Sequence, residues 1–199
     1  MKPLNGKAAI QFGYKAVKGN FFFFVGVVLI MFIVGNVIPD LLTGGRDGRE
    51  NIIINIISWL LSSYVALGFA VVSLKVVDGQ VVSFKDFFTT TNLLGHYLIA
   101  SAIVSLVVAL GLVLLIVPGI VLAVMFMFYA YFIIDKKMKA FDALKQSMAL
   151  TKGYRMQLFG ILALLILMNI AGAIALLVGL LVTIPITSLA VAHMYRQLV

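Results

Sequence analysis

The sequence has no cysteine and few charged residues among its 199 positions. The absence of cysteine excludes disulfides, thiolate nucleophiles, cysteine-ligated zinc and iron–sulfur centres. Charged residues make up 11% of the chain, whereas a soluble domain carries roughly 25%. Because so few charges cannot cover a water-exposed surface, and because 63% of the residues are hydrophobic, the main solvent of this chain is predicted to be lipid.

Acidic residues are the scarcest charged class, and all seven lie in predicted loops or at the ends of apolar runs. Coupled transporters usually keep an ionisable residue at mid-membrane, so this distribution argues against one. No metalloprotease, serine hydrolase or nucleotide-binding signature is present. His96, His193 and Asp86 are the candidate metal or acid–base group, but polar residues at the membrane boundary are the simpler interpretation. We therefore expect no enzymatic activity and no cofactor.

Two long uncharged runs determine the predicted span pattern. Residues 87–134 contain no Asp, Glu, Lys or Arg, and as one helix they would extend about 72 Å across a core of about 30 Å. The run must therefore reverse, and Pro118-Gly119 is the predicted hairpin turn. The second run, residues 156–195, is predicted to reverse around Gly179. Six spans follow, at residues 21–38, 52–74, 95–117, 120–134, 158–176 and 179–198. The first span is predicted to end at Pro39 and Asp40, because proline interrupts the helical hydrogen bonds.

Lysine and arginine are distributed unevenly around these spans. If the chain crosses the membrane at each predicted span, thirteen of the 15 lie on one side, and only Arg46 and Arg49 lie on the other. The positive-inside rule therefore predicts cytoplasmic N- and C-termini. The expected fold is an all-α integral membrane protein of three transmembrane hairpins. Amphipathic surface segments are predicted at residues 4–18, 83–92 and 136–152.

A weak internal repeat accompanies this pattern. Residues 78–87 and 135–144 share a leading aspartate, Asp78 or Asp135, and an aligned phenylalanine at 84 and 141. This match indicates a repeated unit in which a surface helix precedes a hairpin. In the first copy Ser83 is predicted to cap a short helix, with Asp86 completing a capping box.

The basic stretch between the uncharged runs is the main candidate for binding. Its apolar face is predicted from Met138, Phe141, Leu144 and Met148, whose spacing is helical. A basic amphipathic helix attracts anionic headgroups or a partner protein, although lysines that only set topology would look the same. The six basic candidates are Lys136, Lys137, Lys139, Lys145, Lys152 and Arg155.

A polar stripe runs along the second predicted span. Asn55, Ser58 and Ser62 recur at helical spacing, so one face of this helix carries amide and hydroxyl groups. Such groups in lipid should meet another helix. The alternative is that they line a pore.

Several short motifs carry a resemblance to a known family. In chain order they are SFKDF at 83–87, LIVPGI at 115–120, ALKQS at 143–147, LTKG at 150–153, Pro185 and YRQL at 195–198. This order resembles uncharacterised bacterial polytopic proteins related to the membrane domain of glycerophosphoryl diester phosphodiesterases. The resemblance implies a membrane module without the soluble catalytic domain, and it supplies no catalytic residues.

The functional expectation, in line with this resemblance, is a non-enzymatic accessory or membrane-organising protein of a bacterial cytoplasmic membrane. Its expected partners are anionic lipids at the cytoplasmic face, together with a protein partner or a second copy of the chain, and no nucleic acid. The alternative is a component of a transporter or channel, oligomeric if the pore lies between copies.

Overall fold

A computed structural model describes residues 4–43, 52–89, 91–175 and 178–199. Within these ranges the chain is helical and contains no strand, which confirms the predicted all-α class. The α-helices are α1 Gly6–Gly19, α2 Phe21–Phe32, α3 Ile38–Thr43, α4 Ile52–Val77, α5 Leu94–Leu114, α6 Ile116–Phe126, α7 Tyr129–Lys136, α8 Ala140–Thr151, α9 Arg155–Ile174 and α10 Leu180–Leu198.

Five helical segments of the described chain are long and apolar enough to cross a membrane, as expected for a membrane protein. They are Phe21–Leu41, Ile52–Val77, Phe84–Leu114, Ile116–Lys136 and Arg155–Ile174. Each overlaps one of the six predicted spans. The predicted sixth span corresponds to α10, which is not among the five.

Helix α10 lies at the centre of the bundle. It packs against α1, α2, α4 and α9, and its residues Ile186, Leu189, Ala192 and Tyr195 are buried. Protein therefore surrounds much of α10, so its polar side chains can meet neighbouring helices. The central position accounts for a composition more polar than that of the other long helices.

The first apolar segment continues past the residue at which we predicted that it would end. Pro39 was expected to terminate the helix, but the helix runs to Thr43 through a π-helical turn at Ile33–Val37. In that turn the amide of Ile38 donates to the carbonyl of Ile33, five residues earlier. The wider turn accommodates the proline ring directly after it, so the helix is not interrupted.

The reversal between α5 and α6 lies three residues before the predicted turn. Leu115 is the extended residue between the helices, with φ −159° and ψ 137°. Pro118 instead lies in the first turn of α6, where its missing amide hydrogen costs nothing because that amide would have no helical partner. Gly119 lies against Gly111 of α5, and a Cβ built on Gly119 would be 2.6 Å from the backbone nitrogen of Leu112.

The capping box predicted at Ser83 is confirmed. The segment Phe84–Phe88 is a 3₁₀ helix, and the carboxylate of Asp86 accepts from the amide of Ser83 at 2.8 Å. Asp86 also forms an ion pair with Lys75 at the end of α4. The ring of Phe87 packs directly against Gly68, so this short helix is held to α4 by both charge and packing.

Helix α8 buries a face that overlaps the predicted one only in part. Leu144 is buried and Met138 and Met148 pack against the core, but Phe141 is 63% exposed. The other buried residues of the helix are Ala140, Ala143, Ser147 and Thr151. The hydroxyl of Ser147 accepts from the amide of Phe128 at 3.2 Å and donates to the carbonyl of Met125 at 2.8 Å. Small side chains on this face let α8 approach the break between α6 and α7 and satisfy its backbone groups.

Helix α1 packs antiparallel along α10. The amide of Asn5 donates to the side chain of Gln197 at 2.9 Å, and Gly13 lies against the carbonyl of Ile186. The predicted segment 4–18 therefore corresponds to a helix, Gly6–Gly19, with one side on the bundle. Its position relative to the membrane surface stays a prediction.

Candidate functional site

An apolar cavity lies between α6 and the first turns of α9. Its volume is about 470 Å³, within the range of about 300–1,000 Å³ typical of ligand pockets. Its surface is almost wholly apolar, so Arg155, the charged residue in the lining, contributes the hydrocarbon part of its side chain. The other lining residues are Val117, Ile120, Val121, Val124, Met156 and Phe159. Arg155 is exposed and has no acidic partner in the described part of the chain. A cation beside an apolar cavity matches a ligand with an anionic head and a hydrocarbon tail.

A second groove lies on the other side of α9, against α1. Its volume is about 780 Å³ and its polar lining groups include Lys7, Gln11 and Gln157. Met156 lines both this groove and the α6–α9 cavity, and it is 81% exposed. The two hollows therefore flank one helix and meet at one side chain.

The six basic candidates do not form one site. Arg155 lines the α6–α9 cavity, whereas Lys136 pairs with the neighbouring Asp135 at 3.3 Å. The other four are exposed, and the described residues give them no acidic partner: Lys137, Lys139, Lys145 and Lys152. Lys137 adopts the left-handed conformation, with φ 50°, which ends α7 before α8 begins.

Arg196 is the most heavily paired charge that the structure describes, and sequence reasoning did not single it out. Its Nε and Nη2 atoms donate to the two carboxylate oxygens of Asp78 at 2.9 and 2.8 Å. Its Nη1 atom lies 2.9 Å from Asp135, whose other oxygen accepts from the hydroxyl of Tyr195 at 3.0 Å. We call Arg196, Asp78, Asp135 and Tyr195 the C-terminal clasp. The repeat that pairs Asp78 with Asp135 was the signal available in the sequence.

The polar stripe of α4 lies partly in a helix contact. The hydroxyl of Ser58 is buried without a hydrogen-bond partner among the described residues, and Ser62 lies beside Gly35 of the π-helical turn. Asn55 is exposed and has an interaction of its own. Ser58 and Ser62 are placed as packing residues would be, and the pore interpretation gains no feature from this geometry.

Two members of the candidate metal or acid–base group, Asp86 and His193, make contacts outside that group, which also includes His96. Asp86 binds Lys75 and the Ser83 amide, while His193 stacks on Phe12 with ring centroids 4.7 Å apart and bonds Gln197 at 3.0 Å. Among the described residues no three histidine or acidic side chains lie close enough to hold a metal ion.

Comparison with known proteins gave a match to a family model, whereas no curated protein and no solved structure matched the chain. The resemblance to phosphodiesterase membrane domains therefore stays a prediction. A family model described as "Domain of unknown function (DUF7847)" matches residues 19–198, from the end of α1 to the end of α10. Because this match covers nearly the whole chain, the protein belongs to the DUF7847 family.

Proposed function

We propose that this chain is a non-enzymatic accessory component of a bacterial cytoplasmic membrane, and that it binds an anionic phospholipid at the start of α9. The observation that carries the proposal is the α6–α9 cavity, with Arg155 as its charged lining residue. A guanidinium binds phosphate oxygens through two parallel hydrogen bonds, and an apolar cavity accepts an acyl chain. The two features together complement a phospholipid better than a soluble anion or a neutral lipid.

The contrast between two arginines supports this assignment. Arg196 is held by two carboxylates, so three of its five N–H donors are already used within the fold. Arg155 has no acidic partner in the described part of the chain and is exposed. An arginine left unpaired next to an apolar cavity has its donors available for an external anion.

The proposed topology has six spans, with α10 as the sixth and both termini in the cytoplasm. The excess of basic residues on one side supports it. The contacts Arg196–Asp78, Arg196–Asp135 and Gln197–Asn5 also agree with it, because all these residues belong to segments that the six-span arrangement leaves cytoplasmic.

Thiol labelling tests this topology, since the chain has no cysteine of its own. Val81→Cys and Lys137→Cys change exposed residues on the proposed inside, and Leu41→Cys changes an exposed residue near the outside. In intact cells a membrane-impermeant maleimide should label only Leu41→Cys, and permeabilisation should expose the other two. Labelling of Val81→Cys in intact cells would exclude the six-span arrangement.

The lipid assignment is tested by replacing Arg155. Arg155→Gln removes the charge but keeps a long polar side chain, so the expected effect falls on the phosphate contact. A charge-assisted hydrogen bond contributes about 1.5–3 kcal/mol, so the affinity for phosphatidylglycerol should fall about tenfold or more. The measurement is native mass spectrometry of delipidated protein titrated with phosphatidylglycerol or phosphatidylcholine.

Lys145→Gln is the matched control for that experiment. Lys145 is exposed on α8 and pairs with no carboxylate among the described residues, so its replacement changes the net charge equally without touching the cavity. It should leave the preference for phosphatidylglycerol over phosphatidylcholine within about twofold. Equal losses in the two variants would mean that net charge alone attracts the lipid, and the site at Arg155 would be wrong.

A further inference from the structure

We propose that the ligand class at this site is a two-chain phospholipid, whose acyl chains lie on opposite sides of α9 and whose glycerol region lies over Met156. This inference rests on the proposed function and narrows it from any anionic lipid to a diacyl lipid. It adds the groove between α1 and α9, which is separate from the cavity beside Arg155.

The geometry that supports it is the arrangement of two hollows about one helix. The α6–α9 cavity is lined by Arg155 and Phe159 of α9, while the α1–α9 groove is lined by Gln157, Gly160 and other residues of the same turns. These two sets lie on opposite sides of α9, as helical spacing requires. Met156 contributes to both linings and is exposed, so the hollows meet at the helix surface.

The two linings share two features. Each contains apolar side chains from two helices and one cation, Arg155 in the cavity and Lys7 in the groove, and the groove also contains Gln11 and Gln157. In the described chain neither cation has an acidic partner. A lipid that carries two acyl chains and one anionic phosphate on one glycerol can place one chain in each hollow and needs only one headgroup. A single-chain lipid fills one hollow and leaves the other apolar surface without a partner.

The test fills the groove without disturbing the cavity. Gly160 lines the α1–α9 groove, and a Cβ built on it meets no atom within 4 Å, so Gly160→Leu adds bulk to the groove without a backbone clash. Gly95→Leu is the matched control, because Gly95 is also helical and exposed, and a Cβ built on it also meets no atom within 4 Å. Melting temperature and size-exclusion profile establish that both variants are folded.

The readout is the affinity ratio of phosphatidylglycerol to its single-chain lysolipid, by native mass spectrometry. The wild type and Gly95→Leu should favour the diacyl lipid by at least about tenfold, since a second buried chain adds many methylene groups. Gly160→Leu should reduce the ratio to near one while leaving lysolipid binding unchanged. An unchanged ratio in Gly160→Leu would overturn the two-chain arrangement but leave the Arg155 site intact. If Arg155→Gln instead left the affinity for phosphatidylglycerol unchanged, the proposed function itself would be wrong.

Discussion

Replacing Arg196 with methionine should lower the melting temperature of the detergent-solubilised protein by about 5 °C. Three of the five guanidinium N–H donors are used on two aspartates, so their loss leaves Asp78 and Asp135 without their main partner. Removing one member of a fully buried ion pair costs about 3–5 kcal/mol. Because the Arg196 side chain is 26% exposed, water compensates in part, and we expect about 2 kcal/mol.

Arg155→Met is the control for this stability effect. It removes the same charge and a side chain of the same length, but Arg155 pairs with no carboxylate in the described part of the chain. Its melting temperature should stay within about 1 °C of the wild type in the absence of lipid. Arg196→Lys should fall between the two, since an ammonium cannot reproduce the forked geometry. Equal melting temperatures for Arg196→Met and Arg155→Met would show that the C-terminal clasp contributes nothing to stability.

Gly119→Leu should prevent α5 and α6 from forming their close contact. A Cβ at Gly119 would lie 2.6 Å from the backbone nitrogen of Leu112, so the clash involves backbone that cannot rotate away. The helices must separate, at a cost of about 3 kcal/mol, which is a large fraction of the roughly 5–15 kcal/mol by which a folded domain is stable. The expected result is a melting temperature lower by about 6–12 °C and a smaller monodisperse peak on size exclusion, at unchanged levels of synthesis.

Gly95→Leu serves as the control here too, since Gly95 lies near the start of α5 and its added Cβ meets nothing within 4 Å. Gly119→Ala is the graded variant, and it should be destabilised less than Gly119→Leu because it introduces a single carbon. If Gly119→Leu gave a folded protein as stable as Gly95→Leu, the tight reversal at Leu115 would be wrong.

The long helices were predictable from sequence because lipid imposes a simple requirement. Every backbone polar group must be satisfied within the span, so a long apolar run has few structures open to it. The capping box at Ser83 was predictable for a similar reason, since its two reciprocal hydrogen bonds depend on residues three positions apart. Both features are local in sequence.

The errors arose where proline has more than one permitted place. The sequence predicts the turn at Pro118, but the first turn of a helix tolerates proline, and the reversal occurs at Leu115. The sequence also predicts that Pro39 ends a helix, but a π-helical turn accommodates it. In both cases the neighbouring backbone decides the outcome, and no single-residue rule contains that information.

The candidate site could be predicted only in part. Arg155 was named among six basic residues, but nothing in the sequence separated it from Lys145 or Lys152. Arg155 differs from these lysines because it lies next to α6, a helix about 35 residues earlier in the chain. The C-terminal clasp is a similar case. The repeat marked Asp78 and Asp135 as equivalent, but no local pattern linked either residue to Arg196.

Native mass spectrometry of the wild-type protein, titrated with equal amounts of phosphatidylglycerol and phosphatidylcholine, is the most direct test of the proposed anionic phospholipid site beside Arg155. We expect one tightly bound phosphatidylglycerol per chain, with a preference of about tenfold that disappears in Arg155→Gln. Equal occupancy by the two lipids, or a preference that persists in Arg155→Gln, would contradict it.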